Sequence, residues 1–314
     1  MRRFPLVLFL AALAAAPASA QNFESIGVRA LGMAGAHVAV ADDAAAIWWN
    51  PAGLASGALF TAAVERSQFD RRGPGLFGAG LPVERSAFFI GAGSLPIGLS
   101  YVRTRETSQT LGPADGPEAR QLVTHQAGAT VLQSLTDTIV VAATLKYVRG
   151  SAAAGAMEIG EGLDEAAGRL SGRGSHAFDA DLGVMAVAGD LKAGLTVKNL
   201  FSPEFGAPDG TRLELPWMAR AGVSYLASPA MTIAIDVDLR AVQQRRSLSF
   251  GTEYRFTRSA VRAGARFDTV GDVNPLGTVG ASYAVRNGMW VDVWAGAGAR
   301  GAERGWGLAG RIVY

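Results

Sequence analysis

The chain has no cysteine, which excludes disulfides, thiol catalysis and Cys-ligated metals. Its three histidines are His37, His125 and His176, and no two share metal-ligand spacing. No metal and no cofactor is expected. His125 and His176 leave a remote hydrolase reading, in which each meets a Ser and an Asp inside a barrel. Nothing in the local sequence supports it, and no catalytic residue is assigned. Gly32-x-x-Gly35 is not a phosphate loop, because no Lys-Ser/Thr follows. No basic run offers a surface to nucleic acid.

Long apolar helical runs are also missing beyond residue 20. The uncharged stretch 86–102 contains Gly91, Gly93, Pro96 and Gly98, so it reads as two strands and a turn. Residues 1–20 read as a cleaved export signal: Arg2 and Arg3, an apolar stretch over 6–16, and Ala18-Ser19-Ala20 before Gln21. That stretch is shorter than the roughly 20 residues a spanning helix needs. Its loss takes the 29 basic residues to 27, against 27 acidic ones. The mature chain is then formally neutral.

Glycine is abundant, 40 residues of 314, well above the average of roughly 7%. From Gly57 onward the pattern has period two, the mark of strands. Over 231–240, Met231, Ile233, Ile235, Val237 and Leu239 alternate with Thr232, Ala234, Asp236, Asp238 and Arg240. Fourteen such segments run over 57–70, 85–94, 97–106, 121–133, 137–149, 174–188, 190–200, 216–227, 230–240, 245–256, 259–268, 275–286, 289–298 and 304–314. Connections after the even segments are tight, Asn287-Gly288 among them. Those after segments 1, 3, 5 and 7 are long and polar, and read as solvated surface loops. Sorting of loops by parity is expected of a membrane barrel. A soluble sandwich has no reason for it.

The two faces differ. One carries Phe178, Trp217, Tyr225, Tyr254, Phe256, Phe267, Tyr283, Trp306 and Tyr314, as an aromatic girdle would. The other carries Lys146, Asp179, Asp181, Lys192, Lys198, Arg220, Asp236, Asp238, Arg240, Glu253, Arg255, Arg262, Arg266, Asp268 and Asp292. Charges facing lipid are costly, so these are assigned to the lumen. The expected fold is all-β: a 14-stranded antiparallel transmembrane β-barrel over 57–314, with a plug-like N-terminal segment over 21–56. An even strand number places both termini in the periplasm and the barrel in the outer membrane.

Residues 27–54 do not read as a strand. Glycines there allow close approach and positive φ. Asp42 and Asp43 suit a turn or cap for a short helix over 44–49, which Asn50-Pro51 ends. The run Arg29-Ala30-Leu31-Gly32-Met33-Ala34-Gly35-Ala36, then Val38 to Ala44, then Trp48-Trp49-Asn50-Pro51-Ala52-Gly53-Leu54, resembles the N-terminal motif of the PorV/PorQ family. More distantly it is similar to FadL-type outer-membrane transport proteins. Gly32, Gly35, Asp42, Asp43, Trp48, Trp49, Asn50, Pro51 and Gly53 are the candidate plug and gating residues. The resemblance implies binding or transport of an apolar small molecule, or an accessory role with secretion-system components. Outer-membrane lipid and the barrel assembly machinery are the implied partners. Transport predicts a lateral gap, or a continuous apolar pocket beside residues 27–54.

Overall fold

The computed structural model describes residues 18–19, 23–71, 81–111, 116–158, 160–242, 245–270, 275–299 and 303–314. The expected signal therefore lies outside the described residues, apart from Ala18 and Ser19. Fourteen strands form one closed antiparallel barrel. They are β1 Phe60–Arg71, β2 Val83–Ser94, β3 Ile97–Leu111, β4 Pro117–Ser134, β5 Ile139–Ala156, β6 Arg173–Ala188 and β7 Leu191–Lys198. Then come β8 Met218–Ser228, β9 Met231–Asp238, β10 Arg246–Arg255, β11 Ser259–Val270, β12 Leu276–Arg286, β13 Met289–Gly298 and β14 Glu303–Val313. Each pairs with the next, and β14 closes on β1 from Glu303↔Arg71 to Val313↔Thr61. Closure leaves no edge strand, so every ladder group has a partner.

Alternation sets the wall. On β10 the outward Phe250 and Tyr254 are about two-fifths exposed, while the inward Ser249 and Glu253 are buried. All nine girdle aromatics named from the sequence are exposed outward. Turns after even strands are short, as at 95–96, 229–230 and 287–288. The opposite rim differs from expectation. Residues 107–111, 117–120 and 150–156 are strand, so β3, β4 and β5 rise well beyond their neighbours. They continue past the apolar band with mostly polar side chains on β3 and β4 and with Gly, Ser and Ala on β5, which hid them. Of the acids expected on the solvated loops, Asp115 lies outside the described residues, and Glu118 is a buried strand residue. Helix α3, Leu163–Arg169, lies across the high strands.

Residues 23–56 run inside the barrel. They form α1 Val28–Leu31, α2 Ala46–Trp49 and a 3₁₀ turn Pro51–Ser56. Almost every side chain from Phe23 to Leu54 is buried. Wall glycines make the room: a Cβ on Gly264 would stand 2.6 Å from the Ala34 nitrogen, and one on Gly194 would stand 2.6 Å from the Val38 oxygen. Much of the glycine surplus is inner wall pressed by this segment.

Candidate functional site

The segment is folded on itself and then tied to the wall. Gly27 and Gly35 take φ of 91° and 85°, values that suit glycine. The Trp48 and Trp49 indoles donate to the carbonyls of Phe23 and Ile26, both at 2.9 Å. Asp43 accepts from the Ala45 amide at 3.0 Å, which turns the chain into α2. Asn50 both ends α2 and begins the 3₁₀ turn, its side chain accepting from Ala52 N at 3.2 Å. Its amide also donates to Val38 O and Val184 O at 3.0 Å, so it joins two parts of the segment to β6. Gly53 lies against the Ala41 carbonyl and Gly32 against Gly280, where a Cβ would stand 3.1 Å from the Cα.

Lumen charges meet segment charges. Arg29 binds Glu253 through two nitrogens, at 2.8 and 2.9 Å, and also pairs with Asp42 and Asp43. Glu253 further accepts from Arg255 and Arg262. Arg220 links Glu24 at 2.5 Å and Asp238 at 2.6 Å. Asp236 accepts the amides of His37 and Val38, both at 2.8 Å. On the wall, Glu65 accepts the amides of Gly27 and Val28 at 2.8 and 2.9 Å. Asp292 holds Arg311 at 3.1 Å. Such buried pairs cost desolvation when formed but penalise loss of one partner heavily. They fix where the segment sits.

The segment's own groups titrate accordingly. Burial opposes the charge on Asp42, but Arg29 and Arg255 outweigh it and hold the carboxyl at about 2. Glu24 is likewise held at about 2, with Arg220 and Arg266 outweighing burial. Burial, then Arg29, pushes His37 down to about 4. Its ring lies edge-on to Trp49 at 5.9 Å, and among the described residues neither ring nitrogen has a hydrogen-bond partner.

The far end is closed by a loop. Lys146 bridges Asp179 at 2.8 Å and Asp181 at 2.6 Å, and Lys198 reaches Asp181 at 3.2 Å. The two aspartates accept the amides of Phe201 and Asn199, so these charges anchor the loop after β7. That loop carries a hairpin, Glu204–Gly206 with Arg212–Glu214. Phe205, Leu213 and Leu215 are fully buried against Leu122, Val148 and Ala152 of β4 and β5. The expectation of a solvated surface loop fails here, because three apolar side chains turn inward.

The segment and its ties leave little space. Beside α2, a pocket of about 10 Å³ lies among Ile47, Trp48, Phe89 and Val102, at the lower limit for one water. A space of about 30 Å³ adjoins Phe23, Glu24 and Arg220. A larger cleft, about 380 Å³, opens at the short-turn end among Arg29, Asp42, Asp43, Glu253, Arg255 and Arg311. It is polar. Neither the lateral gap nor the continuous apolar pocket is present among the described residues: the ladder is unbroken and the lumen is filled.

Of the assigned plug residues, Gly32, Gly35, Asp43, Trp48, Trp49, Asn50, Pro51 and Gly53 are buried, and Asp42 is half-buried at the cleft. Of the assigned lumen charges, Lys146, Asp179, Asp181, Lys198, Arg220, Asp236, Glu253, Arg262, Arg266, Asp268 and Asp292 are buried. Asp238 and Lys192 are half-buried, and Arg255 is about half exposed at the cleft. Arg240 lies past the end of β9 and stacks on Trp217 at 4.4 Å, so it belongs to the rim. His125 and His176 face outward onto tyrosines, which removes the internal Ser–His–Asp geometry. Phe23 and Glu24 stand at the long-loop end with Arg220 and Arg266, and Tyr314 bonds Phe60 at the other. Sequence reading missed Glu24, Glu65, Glu303 and Arg311. Parity with neighbouring inward residues was the available signal for Glu65, Glu303 and Arg311; Glu24, on no strand, offered none.

The family model described as "F plasmid transfer operon, TraF, protein" matches residues 127–238. No curated protein matches the chain. Among solved structures, the CymD monoaromatic hydrocarbon channel is similar with a TM-score of 0.66 and 14% identity, over 93% of this chain and 97% of that one. A Pseudomonas aeruginosa FadL homologue has a TM-score of 0.66 at 9% identity, over 94% and 99%. The P. putida toluene transporter TodX has a TM-score of 0.60 at 12% identity, over 93% and 99%. These are likenesses of fold.

Proposed function

We propose that this chain is an outer-membrane barrel that binds and passes an apolar small molecule, gated by residues 27–54. The observation that carries the reading is a barrel of hydrocarbon-channel fold whose lumen is filled by its own N-terminal segment. That segment is held by side-chain ion pairs and hydrogen bonds to the wall, so it can be released without opening the ladder. The state described is closed, and passage requires the segment to move. The test is uptake of a monoaromatic hydrocarbon into vesicles holding the folded barrel, with and without residues 27–54. Deletion should raise uptake. A folded deletion barrel with unchanged uptake would sink the gate.

The sealed lumen favours a second reading. With no open path, the barrel serves as a secretion accessory of the PorV/PorQ kind, which the motif over 29–54 resembles. It predicts co-purification with secretion components or exported proteins. Recovery of the barrel alone would count against it.

A further inference from the structure

Arg103, His125 and Arg149 are successive register partners on β3, β4 and β5. All three point outward, away from the lumen. One step further around the wall, Arg149 pairs with His176. In the other direction the same row runs through Phe88 to Arg66. It contains no acid. Two residues lower, the outward row reads Val64, Ile90, Tyr101, Ala127, Tyr147 and Phe178. Below that the wall is apolar. The cationic row thus stands where an aromatic girdle gives way to polar side chains, on the long-loop side.

Two features make this more than scattered charge. First, Arg66, Arg103 and Arg149 have no ion-pair partner among the described residues; Arg105, one row higher, is matched by Asp164 of α3 at 3.4 Å. Exposed arginines of a membrane barrel otherwise find acids or water. Second, both histidines are held. Tyr101 Oη lies 2.7 Å from His125 Nδ1, and Tyr147 Oη lies 2.6 Å from His176 Nδ1. With the phenol donating, Nε2 of each ring keeps its proton and points away as a donor. Arg103 and Arg149 flank His125 at one strand spacing each, about 5 Å.

We propose that the Arg103–His125–Arg149 triplet binds the phosphate of a membrane lipid in the leaflet on the long-loop side. Guanidinium pairs suit phosphate oxygens. The position selects a lipid over a soluble anion, because the donors sit directly above Tyr101, Tyr147 and Phe178, against which acyl chains would lie. The assignment rests on the membrane reading above.

The test uses the folded full-length barrel in detergent, with lipid A carrying two phosphates as the probe and native mass spectrometry as the readout. Wild type should retain lipid A, and its dephosphorylated form should be lost. Arg103→Gln with Arg149→Gln should weaken retention by about tenfold per arginine, and the double Lys variant should restore part of it. Tyr101→Phe should weaken it less. Equal retention by the Gln pair, equal retention of the dephosphorylated lipid, or full displacement by millimolar inorganic phosphate overturns the proposal. Insertion into phosphatidylcholine vesicles is scored in parallel. A barrel that fails to insert removes both the membrane reading and this site; one that inserts without discriminating lipids removes this site alone.

Discussion

Arg29 and Glu253 are 224 residues apart and meet through two hydrogen bonds, 2.8 and 2.9 Å long, inside the barrel. The pair joins α1 to the short-turn end of β10, and both side chains are buried. Arg29→Met leaves Asp42 and Asp43 short of their cation. Removing one partner of a buried pair costs about 3–5 kcal/mol. That loss falls on docking of residues 23–56, since the strand ladder is untouched. Limited proteolysis should cut within 23–56 at least tenfold faster, while the barrel keeps its heat-modifiable mobility. Unchanged protection would show that the pair does not hold the segment.

A second prediction comes from space. Gly264 faces Met33 and Ala34, and a side chain there meets backbone. Gly264→Val should therefore loosen the segment. Gly310, with nothing within 4 Å of an added Cβ, is the matched control for strand propensity. Both barrels should form, and only the first should lose protection over 23–56. Equal behaviour of the two would mean that the wall yields to the segment.

The wall was legible and the filling was not. Period-two alternation follows from each side chain's own face, so β9, β10 and β13 lie within about two residues of their expected spans. The inward row of charges came from the same parity. Which charge meets which did not, because partners such as Glu24 and Arg220 are set by barrel closure and by the path of a non-repeating segment. The hairpin after β7 was missed for a related reason. Gly, Pro, Asp and Glu dominate its sequence, and three apolar residues at 205, 213 and 215 decide its place.

A third prediction concerns pH. Docked His37 sits at about 4 against an ordinary 6.5, so the released segment binds the proton more readily. Docking is then fully favourable above pH 6.5 and weakens as pH falls toward 4, by about 3 kcal/mol in all. Glu24 and Asp42 act lower. Held at about 2, they stabilise docking above their ordinary values near 4 and lose that contribution as pH falls through 2. Protease protection of 23–56 should decline in two steps. His37→Phe fills the same space beside Trp49 and cannot charge. It should abolish the upper step and keep the lower one. Persistence of the upper step in that variant would assign it to another group.

The last prediction separates the two closures of the lumen. Phe205 is fully buried against Gly150 and the inward side chains of β4 and β5. Phe205→Ala leaves a cavity that costs up to about 3–5 kcal/mol, enough to release the hairpin. Arg212, exposed on that hairpin, should then be cut faster by trypsin. Phe205 packs under the long loop and Arg29 lines the cleft at the short-turn end, so the two losses should add to within about 0.5 kcal/mol. Hydrocarbon uptake should therefore rise further in the double variant than in either single one, because the loop and the segment close different parts of the same lumen. If Phe205→Ala exposes residues 23–56 to protease as readily as Arg29→Met does, the closures are one unit, and release of the loop would be the route by which the segment is freed.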